Sequence, residues 1–194
     1  MNIDALVRNN VKMMSSYSSA RDDYNGGANK NLIYLDANES PFKNEINRYP
    51  DNKHTEIKKL VSDIKNVNIN QVVFGNGTDE ILDLIVRVFC NPNKDKIITL
   101  PPTYGMYDII AKTNEVENIE IPLKSDFSID TEKILSLKTS NLKILFLCSP
   151  NNPTGNSFDT NELTHLIKGF NGIVVVDEAY IDFSSKQSLI SLIN

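Results

Sequence analysis

Four short stretches hold residue types that can seat and orient a small charged ligand: GNGTDE (75–80), PPTYGMY (101–107), SPNNPTG (149–155) and DEAY (177–180). In GNGTDE, glycines lead into a helix start, where backbone N–H groups without intrahelical partners make an anion seat. Taken alone, the simpler account is a tight turn with Thr78 as N-cap and Asp79 or Glu80 complementing the dipole. It has neither the Gly-Lys-Ser/Thr of a Walker loop nor a G-x-G-x-x-G fingerprint. Asp177 follows an all-apolar run, so it either caps the next turn or meets a cation in a low-dielectric pocket. Tyr180 and Tyr104 each serve as packing aromatics or as ligand contacts, and SPNNPTG by itself reads as a turn.

Regular periodicity supplies the elements that position these loops. Ile57, Leu60, Val61 and Ile64 fall at helical spacing, as do Ile81, Leu82, Leu84, Ile85, Val88 and Phe89. Gln71–Phe74, Lys96–Leu100, Asn118–Ile121, Leu142–Cys148 and Ile173–Val176 read as strands. Tyr104–Ala111, Asp130–Leu137 and Asp159–Lys168 read as helices, the second capped by Asp130 or Thr131. Strands alternating with helices predict an α/β fold, a mainly parallel sheet with helices on both faces. The unalternating IVVV and ILFL runs predict strands buried on both sides. Ligands in such sheets bind beyond the carboxyl ends of the strands, which is where the four stretches fall. Residues 1–53 read as one helix (Ile3, Leu6, Val7 and Val11 on one face) followed by a polar arm, and 54–194 as the sheet domain.

With 20 Lys+Arg against 25 Asp+Glu and a net charge of −5, clustered positive charge for nucleic-acid binding is not expected. The two cysteines, Cys90 and Cys148, sit in apolar runs and give no disulfide framework. No Cys/His cluster points to zinc, and neither a signal peptide nor a membrane-length apolar run is expected, which predicts a cytoplasmic protein.

Taken together, SPNNPTG followed by DEAY resembles the fold-type I aminotransferases that use pyridoxal 5'-phosphate. YSSARDDY, YLDANESPF, NRYPD, FGNGTDEILDLI and PPTYGMY narrow the resemblance to the histidinol-phosphate aminotransferase family, from about Tyr17 to Ser188. The resemblance implies that Asp177 keeps the pyridine nitrogen protonated and that Asn152 and Tyr180 hydrogen-bond the ring's phenolic oxygen. It implies that Tyr104 stacks on the ring, and that Gly77, Thr78 and Asp79 hold the phosphate. It also implies that Tyr49 reaches the phosphate in a neighbouring subunit of a homodimer, and that Tyr17 and Asn38 line the substrate site. The implied reaction exchanges the amino group of histidinol phosphate with 2-oxoglutarate in histidine biosynthesis.

The chain departs from that family at one point of chemistry. The family's Schiff-base lysine lies in a Ser-Lys motif beyond a further strand, whereas Lys186 follows Ser185 in a stretch without one. Lys186 is therefore expected to be a surface lysine. No catalytic residue is assigned, and the C-terminal small domain is expected to be absent. The chain alone is accordingly expected not to transaminate. Three alternatives stay open: a related aromatic aminotransferase, an amino-acid phosphate decarboxylase, or a non-catalytic remnant.

Overall fold

The computed structural model describes residues 2–19, 33–137 and 139–193. Part of the YSSARDDY motif and of the polar arm, residues 20–32, thus lies outside the described residues. The chain divides into two compact units, Met1–Lys12 with Gly75–Asn194 and Met13–Phe74. In the structure the N-terminal segment joins the sheet unit through Arg8. Its backbone N–H donates to the Val88 carbonyl at 3.0 Å, and its guanidinium to the Arg87 carbonyl at 2.8 Å. Both carbonyls belong to the last turn of a helix, where acceptors lack intrahelical partners.

The sheet unit is built on four parallel strands, β1 (Lys96–Thr99), β2 (Glu117–Glu120), β3 (Leu142–Cys148) and β4 (Ile173–Asp177), in the order β2-β1-β3-β4. In chain order the helices are α1 (Asn9–Lys12), α2 (Thr55–Lys65), α3 (Thr78–Phe89), α4 (Met106–Thr113), α5 (Thr131–Ser136) and α6 (Thr160–Gly169), with α2 alone in the other unit. Alternate residues of each strand serve opposite faces. Ile97, Ile144, Phe146 and Cys148 pack with Leu82 and Val86 of α3 and Tyr107 and Ile110 of α4. Ile98, Leu145 and Leu147 pack with Ile134 of α5 and Leu163 and Leu166 of α6. Helices thus cover both faces, as the α/β reading requires.

Several local expectations shift. The N-terminal helix is two pieces, a 3-10 turn Ile3–Ala5 and α1. Gln71–Phe74 is not a strand: Gln71 closes a 3-10 turn, and Val72 is extended without a ladder partner among the described residues. A β-branched run becomes a strand only where another strand can satisfy its backbone groups. Thr78 is not the N-cap of α3; Gly77, at φ +79°, takes that place because it can turn the chain one residue earlier. Full burial holds for Ile144–Cys148 of β3 but not for Ile173–Val176, which stay half-buried because β4 is the edge strand. Asp130 caps α5 and Asp159 caps α6, each accepting first-turn N–H groups.

In the Met13–Phe74 unit, α2 forms as its periodicity predicts, yet Ile57, Leu60 and Ile64 along it remain exposed. His54 meets Phe74 edge-on at 6.1 Å between ring centroids. Glu39 joins two segments of this unit: it accepts the Tyr49 backbone N–H at 2.8 Å and pairs with Arg48 at 2.5 Å. Arg48 in turn lies 5.6 Å over the Tyr34 ring.

Candidate functional site

At the carboxyl ends of β3 and β4 and the start of α3, a pocket of about 260 Å3 brings together residues far apart in the chain. Its walls come from Asn76, Gly77, Thr78 and Asp79 at the head of α3, and from Tyr104 in the loop after β1. Cys148 and Asn152 from the end of β3 and the loop beyond, with Asp177, Ala179 and Tyr180, complete it. Seven of the residues singled out from the sequence therefore share one cavity: Gly77, Thr78, Asp79, Tyr104, Asn152, Asp177 and Tyr180. The other three lie in the Met13–Phe74 unit: Tyr17 and Tyr49 are exposed, and Asn38 is exposed at φ +50°.

The head of α3 is shaped by what it lacks. Gly77 has no side chain to cap the helix, so the first-turn N–H groups are left for a ligand. Glu80 is turned back to the Asn76 backbone and amide. The Asp79 carboxylate accepts the Tyr104 hydroxyl at 3.1 Å, which takes its charge toward the tyrosine. Burial, reinforced by that hydrogen bond and the neighbouring negative charge, raises the Tyr104 phenol above its ordinary value, so the hydroxyl remains the donor.

Asp177 ends β4 and is buried at 8% exposure, yet lines the cavity. Its Oδ1 accepts the Ala179 backbone N–H at 3.0 Å, and its Oδ2 accepts the Tyr107 hydroxyl at 2.8 Å. Among the described residues, no Lys, Arg or His lines the pocket. A buried carboxylate with donors but without a protein cation is well placed to receive a cationic N–H from a ligand. The turn-capping account of Asp177 is also realised, through Ala179, so the two readings of this residue are not exclusive.

Adjacent asparagines do different work. Asn151 is buried and ties loops together. Its amide donates to the Pro102 carbonyl at 2.9 Å and to Thr154 Oγ1 at 2.6 Å, while its oxygen accepts from Thr103 at 2.8 Å. That frame leaves Asn152 on the cavity wall. Burial raises the Cys148 thiol above its ordinary value, and Sγ donates to the Pro150 carbonyl at 3.4 Å, so it faces the pocket as a neutral group. Lys186 is exposed and distinct from the pocket lining.

Tyr107 is the site residue that sequence reading missed. Its place in the apolar face of α4 marks it as core, and nothing local reveals that its hydroxyl meets an aspartate 70 residues away. The only available signal was the second tyrosine in PPTYGMY, three positions past Tyr104, hence one helical turn on.

The chain is 52% identical over 192 residues to a histidinol-phosphate aminotransferase of Flavobacterium johnsoniae, covering 99% of this chain and 55% of that protein. Among solved structures, the histidinol-phosphate aminotransferase of Clostridium acetobutylicum matches with a TM-score of 0.66 and 27% identity, over 75% of this chain and 43% of that one. The Sinorhizobium meliloti histidinol-phosphate aminotransferase, solved in complex with pyridoxal-5'-phosphate, shares the fold at a TM-score of 0.65 and 19% identity, over 71% and 38% of the two chains. The chain spans about half the length of the curated relatives it matches. The family model for aminotransferase class I and II matches residues 23–193, and to that family the chain belongs.

Proposed function

We propose that the pocket is a seat for pyridoxal 5'-phosphate and that the whole protein transfers the amino group of histidinol phosphate to 2-oxoglutarate, a step of histidine biosynthesis. The observation that carries this reading is the meeting, in one cavity, of an uncapped helix start, an aromatic ring and a buried carboxylate without a protein cation. Family membership and the close relative from Flavobacterium support the choice of cofactor and substrate.

The residues present fit the group. The first-turn N–H groups of α3 are donors for a phosphate. The Tyr104 ring would cover one side of a planar heterocycle, and Asn152 and Tyr180 would offer donors to a phenolate oxygen. Asp177, buried at the end of β4, would hold a proton at the ring nitrogen. Bound there, the cofactor supplies the electron sink for chemistry at the substrate's α-carbon. This chain's residues in the pocket would seat and charge the ring. Tyr49, Tyr17 and Asn38 are assigned, by family likeness, to the phosphate of a neighbouring subunit and to the substrate site of a homodimer.

Pyridoxal 5'-phosphate added to the chain is expected to bind saturably, by absorbance, and to wash off on desalting even after borohydride. Asp177→Asn should weaken binding by about tenfold or more, the worth of a charge-assisted contact. A folded chain showing no saturable binding overturns the reading. In the whole protein, histidinol phosphate should outperform phenylalanine as amino donor; the reverse order would overturn the substrate assignment.

A further inference from the structure

We propose that Tyr107 is a positioning residue for the acid of the pocket, its hydroxyl orienting the Asp177 carboxylate toward a protonated ring nitrogen. The inference rests on the cofactor reading above and deepens it. Tyr107 is 1% exposed, at the second position of α4, and its ring is held on two sides. It stacks on Phe146 of β3 at 4.8 Å and 7° between planes, and meets Tyr104 edge-on at 5.6 Å and 86°. Phenylalanine would fill the same space, so packing accounts for the ring and leaves the hydroxyl to be explained. That hydroxyl donates to Asp177 Oδ2 at 2.8 Å, while Ala179 N–H takes Oδ1. Each carboxylate oxygen therefore has one fixed donor and a lone pair to spare for a ligand.

The surroundings leave the hydroxyl little choice. Burial pushes the Tyr107 phenol far above its ordinary value, so it stays a donor. Among the described residues, the titratable groups that touch Asp177 or share its pocket are Tyr107 from α4, Cys148 from β3, Tyr104 with Asp79 beyond it, and Tyr180; none of these is a cation. With one oxygen held by the Tyr107 hydroxyl and the other by Ala179, the carboxylate is oriented rather than free to turn, which favours a short, aligned contact to a ring N–H. Through its edge contact with Tyr104, the same residue also steadies the ring-covering aromatic.

The test uses pyridoxal 5'-phosphate labelled with 15N at the ring nitrogen, bound to the chain and to Tyr107→Phe and Asp177→Asn. Tyr107→Phe keeps the ring, and a thermal melt checks that it folds. Its expected result is a 15N resonance moved toward the unprotonated position and affinity lower by about tenfold. Asp177→Asn should move the resonance further in the same direction. A Tyr107→Phe resonance unchanged from wild type, with Asp177→Asn shifted, would show that Tyr107 only packs and would overturn this inference alone. Failure of the folded wild-type chain to bind the cofactor would take down the underlying reading as well. In the unliganded chain, a slowly exchanging phenolic proton from Tyr107 should be seen by NMR and be displaced in Asp177→Asn; its absence counts against the contact.

Discussion

At the scale of single residues, the backbone at Gly77 sets how α3 begins. Its φ of +79° and ψ of 174° fall where essentially only glycine is at ease, and a Cβ there would meet nothing within 4 Å. The cost of a side chain is thus backbone strain rather than a clash. Gly77→Ala and Gly77→Ser should both destabilise the chain by about 1–3 kcal/mol in urea unfolding. A much larger loss for serine would mean that space is the limit. Asp51 tests the same logic of local donors in the other unit. Its carboxylate accepts the Thr55 N–H at 2.8 Å and the Lys53 N–H at 2.9 Å. Thr55 chiefly, then Lys53, lower its pKa from 3.8 to about 2. A depressed acid contributes stability that is fully present above its unfolded value and disappears as pH falls through the folded one. The benefit at the start of α2 should therefore be whole above pH 3.8 and lost around pH 2. A carboxyl 13C titration should place the Asp51 midpoint near 2; a midpoint at the ordinary 3.8 would contradict the turn.

At the scale of elements, β4 carries Asp177 into the pocket, and its registry with β3 sets where that carboxylate lands. Cys148 pairs with Asp177 across the ladder, and the Ser149 N–H donates to the Asp177 carbonyl at 2.9 Å. Gly172, just before β4, permits this close approach: an added Cβ would lie 2.7 Å from the Lys143 carbonyl oxygen, a backbone atom that cannot swing away. Gly172→Ala should cost about 1–3 kcal/mol by overpacking and weaken cofactor binding together with it. Wild-type stability in that variant would show that β4 is free to shift. Much of this scale was legible in the sequence. LKILFLC is the strand Leu142–Cys148, and of the two caps open for α5, Asp130 or Thr131, the structure takes Asp130. QVVF was misread, because β propensity describes how a residue fits a pleated surface, not whether a partner strand is present.

At the scale of the whole molecule, protection against hydrogen exchange should follow the order of the sheet. β1 and β3 each have neighbours on both sides, whereas β2 and β4 have one. Amides of Ile144–Leu147 should therefore exchange slowest, and those of Ile173–Val176 measurably faster. Equal protection in β3 and β4 would require an additional strand beside β4. Among the described residues no helix is long and apolar enough to cross a membrane.

What the amino-acid order determined unaided is local: where apolar periodicity changes, where aspartates cap helices, and which four loops hold ligand-competent residues. Those features depend on residues within a turn or two of one another, so they survive in the one-dimensional string. Tertiary structure alone decided that the Tyr107 hydroxyl reaches Asp177 and that Asn151 ties its loop to Pro102 and Thr103. These are contacts across tens of residues, fixed by packing and strand registry, and a side chain's neighbours across a sheet leave no periodic trace along the chain.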